Sequence, residues 1–356
     1  MFVSKDKDTL KDEMLDDIDD TEDKTSGGFI YKVIKAIAIA ISNLYKYTKK
    51  EVVEKLDVEN LHSEELERYI KQRTGITRKQ ATYAVGEIDI EGNGTVYEGD
   101  LFQTENGLQF KSTETKTIVG KGIVKIQATK AGEISVVPAG VITKMPMTLE
   151  GITNVNNSKP TIDGYEAETD ESLLERYYER IRTPATSGNK AHYKNWAKEV
   201  EGVGDARVFP LWQGDNTVKV VIIDANKQPA STELVANVQE HIDPNKSGLG
   251  EGTAPIGAYC TVSSTVAKQI NISVKINRIS DSYSIENIKE KMKTNISEYL
   301  KSIAFKQNYV SHAAIGNIIF NTEGVADHSD LKVNNSIGNI AIVDEEVAIL
   351  GGVSIA

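Results

Sequence analysis

The sequence predicts an α+β, multi-domain protein: N-terminal helices, a small antiparallel β domain, then two mixed α+β units. Three observations carry that reading. Apolar spacing is helical before Tyr83, takes a period of two from Ala84 to Gly151, and then alternates between the two rhythms. At 356 residues the chain is long for one core, and about two to four domains are expected. The tripeptide Glu201-Gly202-Val203 returns as Glu323-Gly324-Val325, either as the trace of a duplicated scaffold or as shared turn chemistry alone. The boundaries drawn are an acidic flexible leader at 1–28, an N-terminal helical bundle region at 29–82 and a β domain at 83–158. A first α+β domain follows at 159–265 and a second at 266–356.

The leader comes first. Residues 1–24 hold ten acids against four lysines, a local balance of −6 within a total of −11. With little periodic apolar character, it reads as a solvated tail or as an acidic arm that orders on a basic neighbour. Gly27-Gly28 then hinges into a long helix. Ile30, Val33, Ile34, Ile37, Ile41 and Leu44 step by three or four, and Lys32, Lys35, Lys46, Lys49 and Lys50 form the wet side. That stripe must meet either the chain's own body or helices of neighbouring subunits. A second helix starts at Ser63 and runs through Leu66 and Ile70 to a glycine cap at Gly75.

The β domain shows alternation at Ala84, Gly86, Ile88 and Ile90, again at Val124, Ile126 and Ala128, and again at Ile134, Val136 and Pro138. Turns such as Gly92-Asn93-Gly94 and Asn106-Gly107 separate the runs. Gly151 to Lys159 reads as a polar linker. Thr169 then caps a helix bearing Leu173, Leu174, Tyr177, Tyr178 and Ile181, stopped at Thr183-Pro184. A second helix after Gly188-Asn189 presents Tyr193, Trp196, Ala197 and Val200, and Gly202 and Gly204 turn it into a strand. Val218, Val220 and Ile222 make the next strand, and Leu234, Val235, Val238 and Ile242 a helix. A glycine-rich loop, Asp243 to Gly257, reads as mobile. The final unit has a strand at Ile270 to Ile276, a helix striped from Ile285 to Ile303, a helix from Ser311 to Phe320, and extended segments at Leu331 to Val333 and Ile340 to Val353.

Between Asp163 and Trp212 nothing looks like chemistry, but the ordered pieces resemble the baseplate J family. They are the acidic cap leading to Arg176, Ser187-Gly188-Asn189, Tyr193 with Trp196, and Glu201-Gly202-Val203 running into Arg207-Val208-Phe209-Pro210. Upstream, Gly75-Ile76-Thr77-Arg78, Ala81-Thr82-Tyr83-Ala84 and Val137-Pro138-Ala139-Gly140 extend the resemblance, which covers roughly residues 60–265 well and the flanks in outline. Its leader is longer and more charged than the family's usual look.

That resemblance implies a structural wedge component of a contractile phage tail or tail-like bacteriocin, one that relays the trigger for sheath contraction. The partners it implies are other wedge proteins, a second copy of the chain, and hub and sheath-initiating proteins in a roughly six-fold ring. The expected location is the baseplate of a particle assembled in the bacterial cytoplasm. Partner contacts are assigned to Ile30, Val33, Ile34, Ile37 and Ile41. Arg176, Trp196, Gly202 and Val203 are taken as anchors of fold or interface. The competing reading is a tail-associated glycan-binding protein or hydrolase, which a deep carboxylate-lined pocket would favour.

The residues agree with a non-enzymatic role. The five histidines, His62, His192, His241, His312 and His328, show no zinc spacing, and Cys260 is the only cysteine. Gly120-Lys121 lacks the rest of a phosphate loop, and Gly248-Leu249-Gly250-Glu251-Gly252 neither follows a strand nor opens a helix. His192 has no nucleophile elbow to serve. No cofactor or metal is expected. An acidic chain without a basic stripe is a poor nucleic-acid ligand. The greasiest run, Ala36 to Ile41, is six residues where a membrane span needs about 20, so a soluble protein without a signal peptide is expected. Trp196 and Trp212 are aromatic anchors, of a core or of a subunit contact.

Overall fold

A computed structural model describes residues 5–183, 185–280 and 283–355. It contains two compact units. The first takes the chain up to Arg78 together with Thr169–Glu179; the second takes Lys79–Glu168 and the chain from Arg180 onward. The proline expected to stop a helix at 184 lies outside the described residues, as do the first four residues of the leader.

In the first unit the leader is not featureless. Asp6 caps a ten-residue helix, α1 (Lys7–Asp16), its carboxylate accepting the N–H groups of Asp8 and Thr9 at 2.8 and 3.0 Å. The chain folds back at Gly28, where a Cβ would sit 2.7 Å from the Asp23 carbonyl oxygen, and enters α2 (Phe29–Thr48). A π-helical turn and two 3₁₀ turns lead to α3 (Ser63–Thr74), closed by Gly75 in the left-handed region at φ 75°. Leu66 and Ile70 of α3 pack with Val58, Leu61 and, from α4 (Asp170–Arg182), Leu173 and Tyr177.

The second unit begins with a six-stranded antiparallel sheet curled toward closure. Its strands are β1 (Tyr83–Val96), β2 (Leu101–Thr104), β3 (Gln109–Ser112), β4 (Lys116–Ala131), β5 (Ile142–Lys144) and β6 (Ile152–Asn156), in the order β5-β2-β3-β4-β1-β6. Ile88, Ile90, Phe102, Phe110, Val124 and Ile126 fill it. Asn157, fully buried, stitches the two sheet ends: its Oδ1 accepts Val141 and Ile142 N–H, and its Nδ2 donates to the Pro138 and Lys159 carbonyls.

Two readings are corrected here. The alternation at Ile134, Val136 and Pro138 is not a strand but a 3₁₀ turn (Glu133–Ser135) and loop. Ile134 points to solvent, while Ser135 is buried, its hydroxyl bonded to the Gly132 carbonyl and the Ala84 N–H. A polar staple decided that segment, not the hydrophobic pattern. The linker at Gly151 to Lys159 is instead largely β6, paired with β1 from Asp89↔Asn156 to Gly92↔Ile152. Asn157 at its end satisfies four backbone groups, so polarity there marks a network rather than a loop.

The first helix–sheet domain runs α5 (Lys190–Glu199), β7 (Val203–Pro210), β8 (Thr217–Asp224), α6 (Thr232–Ile242) and β9 (Tyr259–Ser264). Its sheet order is β7-β8-β9, antiparallel then parallel. The second runs β10 (Val266–Arg278), α7 (Ile285–Ile303), β11 (Tyr309–Val310), α8 (His312–Phe320), β12 (Val325–Val333), β13 (Ile340–Ala341) and β14 (Glu346–Ile355), with sheet order β12-β10-β14, again antiparallel then parallel. Reading β8 against β10, the two domains share one arrangement with the helix-plus-edge-strand piece moved from the front of the chain to its middle.

Strand β8 is buried over Val220, Val221, Ile222, Ile223 and Asp224. Val220 and Ile222 face the domain's own core, whereas Ile223 packs with Ala304 and Val347 of the second domain. A strand covered on both faces reads as a continuous apolar run, so the alternation seen in the sequence gave only one of its two faces.

Candidate functional site

Two features stand out, a helix face in the first unit and a joint in the second. Helix α2 carries the stripe. Ile34 is buried, Ile30 and Ile41 are half-buried, and Val33 and Ile37 stand 39% and 41% exposed. The five assigned contacts therefore do not share one fate. The covered side, with Ala38 and Ser42, lies under α1, where Leu10 is buried and Lys11 reaches over the Tyr31 ring. Phe29, Leu44 and Tyr47 are exposed as well.

Arg176 lies on α4 and donates to the Thr77 carbonyl at 2.6 Å. One residue on, the Arg78 guanidinium pairs with Asp170 at 2.5 Å and donates to the Ser63 carbonyl. The Ser63 N–H and the Arg78 charge hold the Asp170 carboxyl below its usual range. Gly75-Ile76-Thr77-Arg78 is thus a clamp: a glycine cap, an apolar plug against α3 and α4, a carbonyl for Arg176 and a cation for the first turn of α4.

The joint links the barrel-like sheet to the first helix–sheet domain. Asp163 sits at φ 62°, a left-handed conformation that a short polar side chain tolerates. Its carboxylate accepts the Tyr165 hydroxyl at 2.7 Å and the Ser231 hydroxyl at 2.9 Å, while Ser231 itself caps α6. Thr82, at the entrance to β1, donates to the Asp163 carbonyl and accepts the Tyr165 N–H. The Tyr165 ring lies on Gly202, at φ 88°, where a Cβ would come within 2.8 Å of it. Burial pushes the Tyr165 hydroxyl's pKa up and lifts the Asp224 carboxyl to about 7. Val203 is buried and pairs with Asp224.

A cavity of about 650 Å³ opens beside this joint, lined by Glu133, Asp163, Asp224 and Lys301 among others. Its carboxylates are engaged: Asp163 as above, Asp224 by the Gln228 N–H at 2.7 Å, and Glu133 near Lys301 at 3.9 Å. No group of three or more metal-ligating side chains occurs among the described residues, and none of their helices is long and apolar enough to cross a membrane.

Trp196 is 8% exposed in the first domain's core, stacked near His192 and edge-on to Tyr193. Trp212 is half-buried under the Lys219 ammonium, 5.1 Å from its ring. His192 is held low by burial, and its Nδ1 accepts the Gly188 N–H, a packing role. The Cys260 thiol is buried and pushed up to about 12, far from a thiolate nucleophile. The glycine-rich loop is pinned by Asp243, whose two oxygens accept the Gly248 and Cys260 N–H groups. Sequence reasoning missed Asp163, Asp224 and Ser231 as a set. Only Thr82 carried a signal, inside a motif already singled out.

A near-closed barrel, two permuted helix–sheet domains and a helical arm with an open apolar face make a multi-domain scaffold. Three family models match it in succession: the Baseplate J-like protein barrel domain over residues 82–164, the Baseplate J-like central domain over 185–264 and the Baseplate J-like protein C-terminal domain over 270–356. The chain belongs to the baseplate J-like family. It is 35% identical over 355 residues to the uncharacterized protein YqbT of Bacillus subtilis (strain 168), covering 100% of this chain and 99% of that protein. It is 34% identical, with the same coverage, to the phage-like element PBSX protein XkdT of the same organism. Baseplate protein gp47 of Escherichia phage Mu is 30% identical over 223 residues, 57% of this chain and 59% of that one.

Proposed function

We propose that this protein is a structural wedge subunit of a contractile-tail baseplate, working with a second copy and with other wedge proteins in a roughly six-fold ring around the hub. In this role it relays the trigger for sheath contraction and acts without catalysis, in a particle assembled in the bacterial cytoplasm. Family membership supports the baseplate assignment. The observation that carries the wedge reading is the arm: α2 keeps Val33, Ile37, Leu44 and Tyr47 exposed on a helix too apolar to stay alone. Arg176, Trp196, Gly202 and Val203 serve the fold from within the cores and clamps.

The competing reading, a tail-associated hydrolase or glycan binder, has the carboxylate-lined cavity in its favour. The commitments of Asp163 and Asp224 to backbone and hydroxyl donors speak against it.

A tagged pull-down from the producing cell during particle formation tests the proposal, with co-purifying chains identified by mass spectrometry. Other tail proteins in fixed ratio are expected. Recovery of the chain alone, from cells making intact particles, would overturn the wedge role and direct attention to the cavity. Val33→Asp with Ile37→Asp should leave the chain folded but keep it out of the particle.

A further inference from the structure

We propose that the acidic leader is a built-in cover: α1 occupies the face of α2 that an acidic, apolar-striped helix of a neighbouring chain takes over on assembly. This rests on the bundle role of α2 and adds a regulated step to it.

Three observations on the arm support the assignment. First, α1 packs against α2, whose buried residues Ile34, Ala38 and Ser42 recur at four-residue spacing. Second, the cover is slight. Leu10 is the one fully buried residue of α1, with Met14 and Leu15 half-buried, so a longer apolar stripe would outcompete it. Third, the charges are complementary. Residues 29–50 carry five lysines and no acid, whereas residues 1–24 have a balance of −6. The leader's own lysines are largely used within it, in the pairs Lys5–Glu13, Lys11–Asp12 and Lys24–Asp20.

The same charges choose the occupant. A second α2 would bring five more lysines against the first and be repelled, whereas a helix with acids flanking an apolar stripe would lay opposite charge beside them, with the same sign of charge as the leader. Val33 and Ile37, exposed beside the covered face, give such a helix a place to start before α1 leaves. In the lone chain the cover shortens the apolar surface open to aggregation; in the particle it is exchanged. Because the attraction is mostly long-range, salt should weaken it.

The test uses the full chain and, as probe, a fluorescent peptide of residues 5–24. Leu10→Asp should free the face in the intact protein without touching the cores of the second unit. By anisotropy, that variant is expected to bind the peptide roughly tenfold more tightly than wild type, whose own leader competes at high local concentration. Raising salt from about 0.05 to about 0.5 M should weaken the binding. Adding Ile34→Asp to the Leu10→Asp chain should abolish it. Equal affinity for wild type and Leu10→Asp, or no binding to either, would overturn the cover. The pull-down reads the wedge role separately, so the two can fail independently.

Discussion

The two helix–sheet domains solve one packing problem twice, with different neighbours. In the first, Gly202 stands at φ 88° before an antiparallel edge strand, and its carbonyl accepts the N–H of Ala225, just past the central strand. In the second, Gly324 stands at φ 96°, and its carbonyl accepts the N–H of Ile279 in the same place. Val203 pairs with Asp224, and Val325 with Arg278. Each glycine has a tyrosine ring where its Cβ would be, and each is backed by a helix capped by serine, Ser231 or Ser284. The difference is the source of the ring. Tyr283 lies within the second domain, between β10 and α7, whereas Tyr165 arrives from the exit of the barrel-like sheet. One local device therefore closes a domain in one case and fastens two domains in the other. The end of the central strand differs too: the first domain has a buried carboxyl there, Asp224, and the second an arginine, Arg278, whose Nη1 donates to the Tyr283 carbonyl.

The largest effect should come from the cores. The first domain is filled from α5 by Tyr193 and Trp196, the second from α8 by Ile315 and Ile319. Trp196→Ala should cost about 3–5 kcal/mol and Ile319→Ala about 2–4 kcal/mol in urea unfolding of the lone chain. An unaltered Trp196→Ala chain that fails to assemble would instead place that ring at an interface.

Next is pH. The Asp224 carboxyl titrates at about 7 in the fold, well above the ordinary aspartate value of 3.8, because burial disfavours its charge and Asp163 adds repulsion, while the N–H groups of Gln228 and Asn226 and the charge of Lys227 oppose them. The folded value is the raised one, so this contribution to stability is full below about pH 4 and is lost as pH climbs through about 7, amounting to at most about 4 kcal/mol. Hydrogen exchange at β8 should quicken over that window, and Asp224→Asn should flatten the profile. The corresponding amides of β10 should not follow it, since Arg278 stands there.

Gly202→Ala and Gly324→Ala should each cost about 1–3 kcal/mol, from the left-handed backbone and the displaced ring. They should part company in reach: only Gly202→Ala should speed exchange at the Thr82 and Tyr165 amides. Equal quickening by both would dissolve the distinction between fastener and closure. The smallest effect has the opposite sign. The Tyr193 hydroxyl is buried with no hydrogen-bond partner among the described residues, so Tyr193→Phe should stabilise the chain by about 1 kcal/mol in the same urea assay.

The sequence by itself determined the α+β order, the helix caps at Thr169 and Gly75, and the apolar faces of α3, α5, α6 and α7. These are set by residues close in the chain, through spacing and capping, so a local reading captures them. It also carried the family resemblance, because motifs such as Gly75-Ile76-Thr77-Arg78 keep in order the residues that make one clamp. Only the tertiary structure decided the rest. Ser135 and Asn157 look like loop residues until the backbone groups they satisfy are brought from 51 and about 16 positions away. The helix of the leader needed α2 beneath Leu10 to become worth forming, and the second buried face of β8 needed Ala304 and Val347 behind Ile223. Burial and hydrogen-bond satisfaction depend on what the fold places opposite a residue, and that partner is not written beside it in the chain.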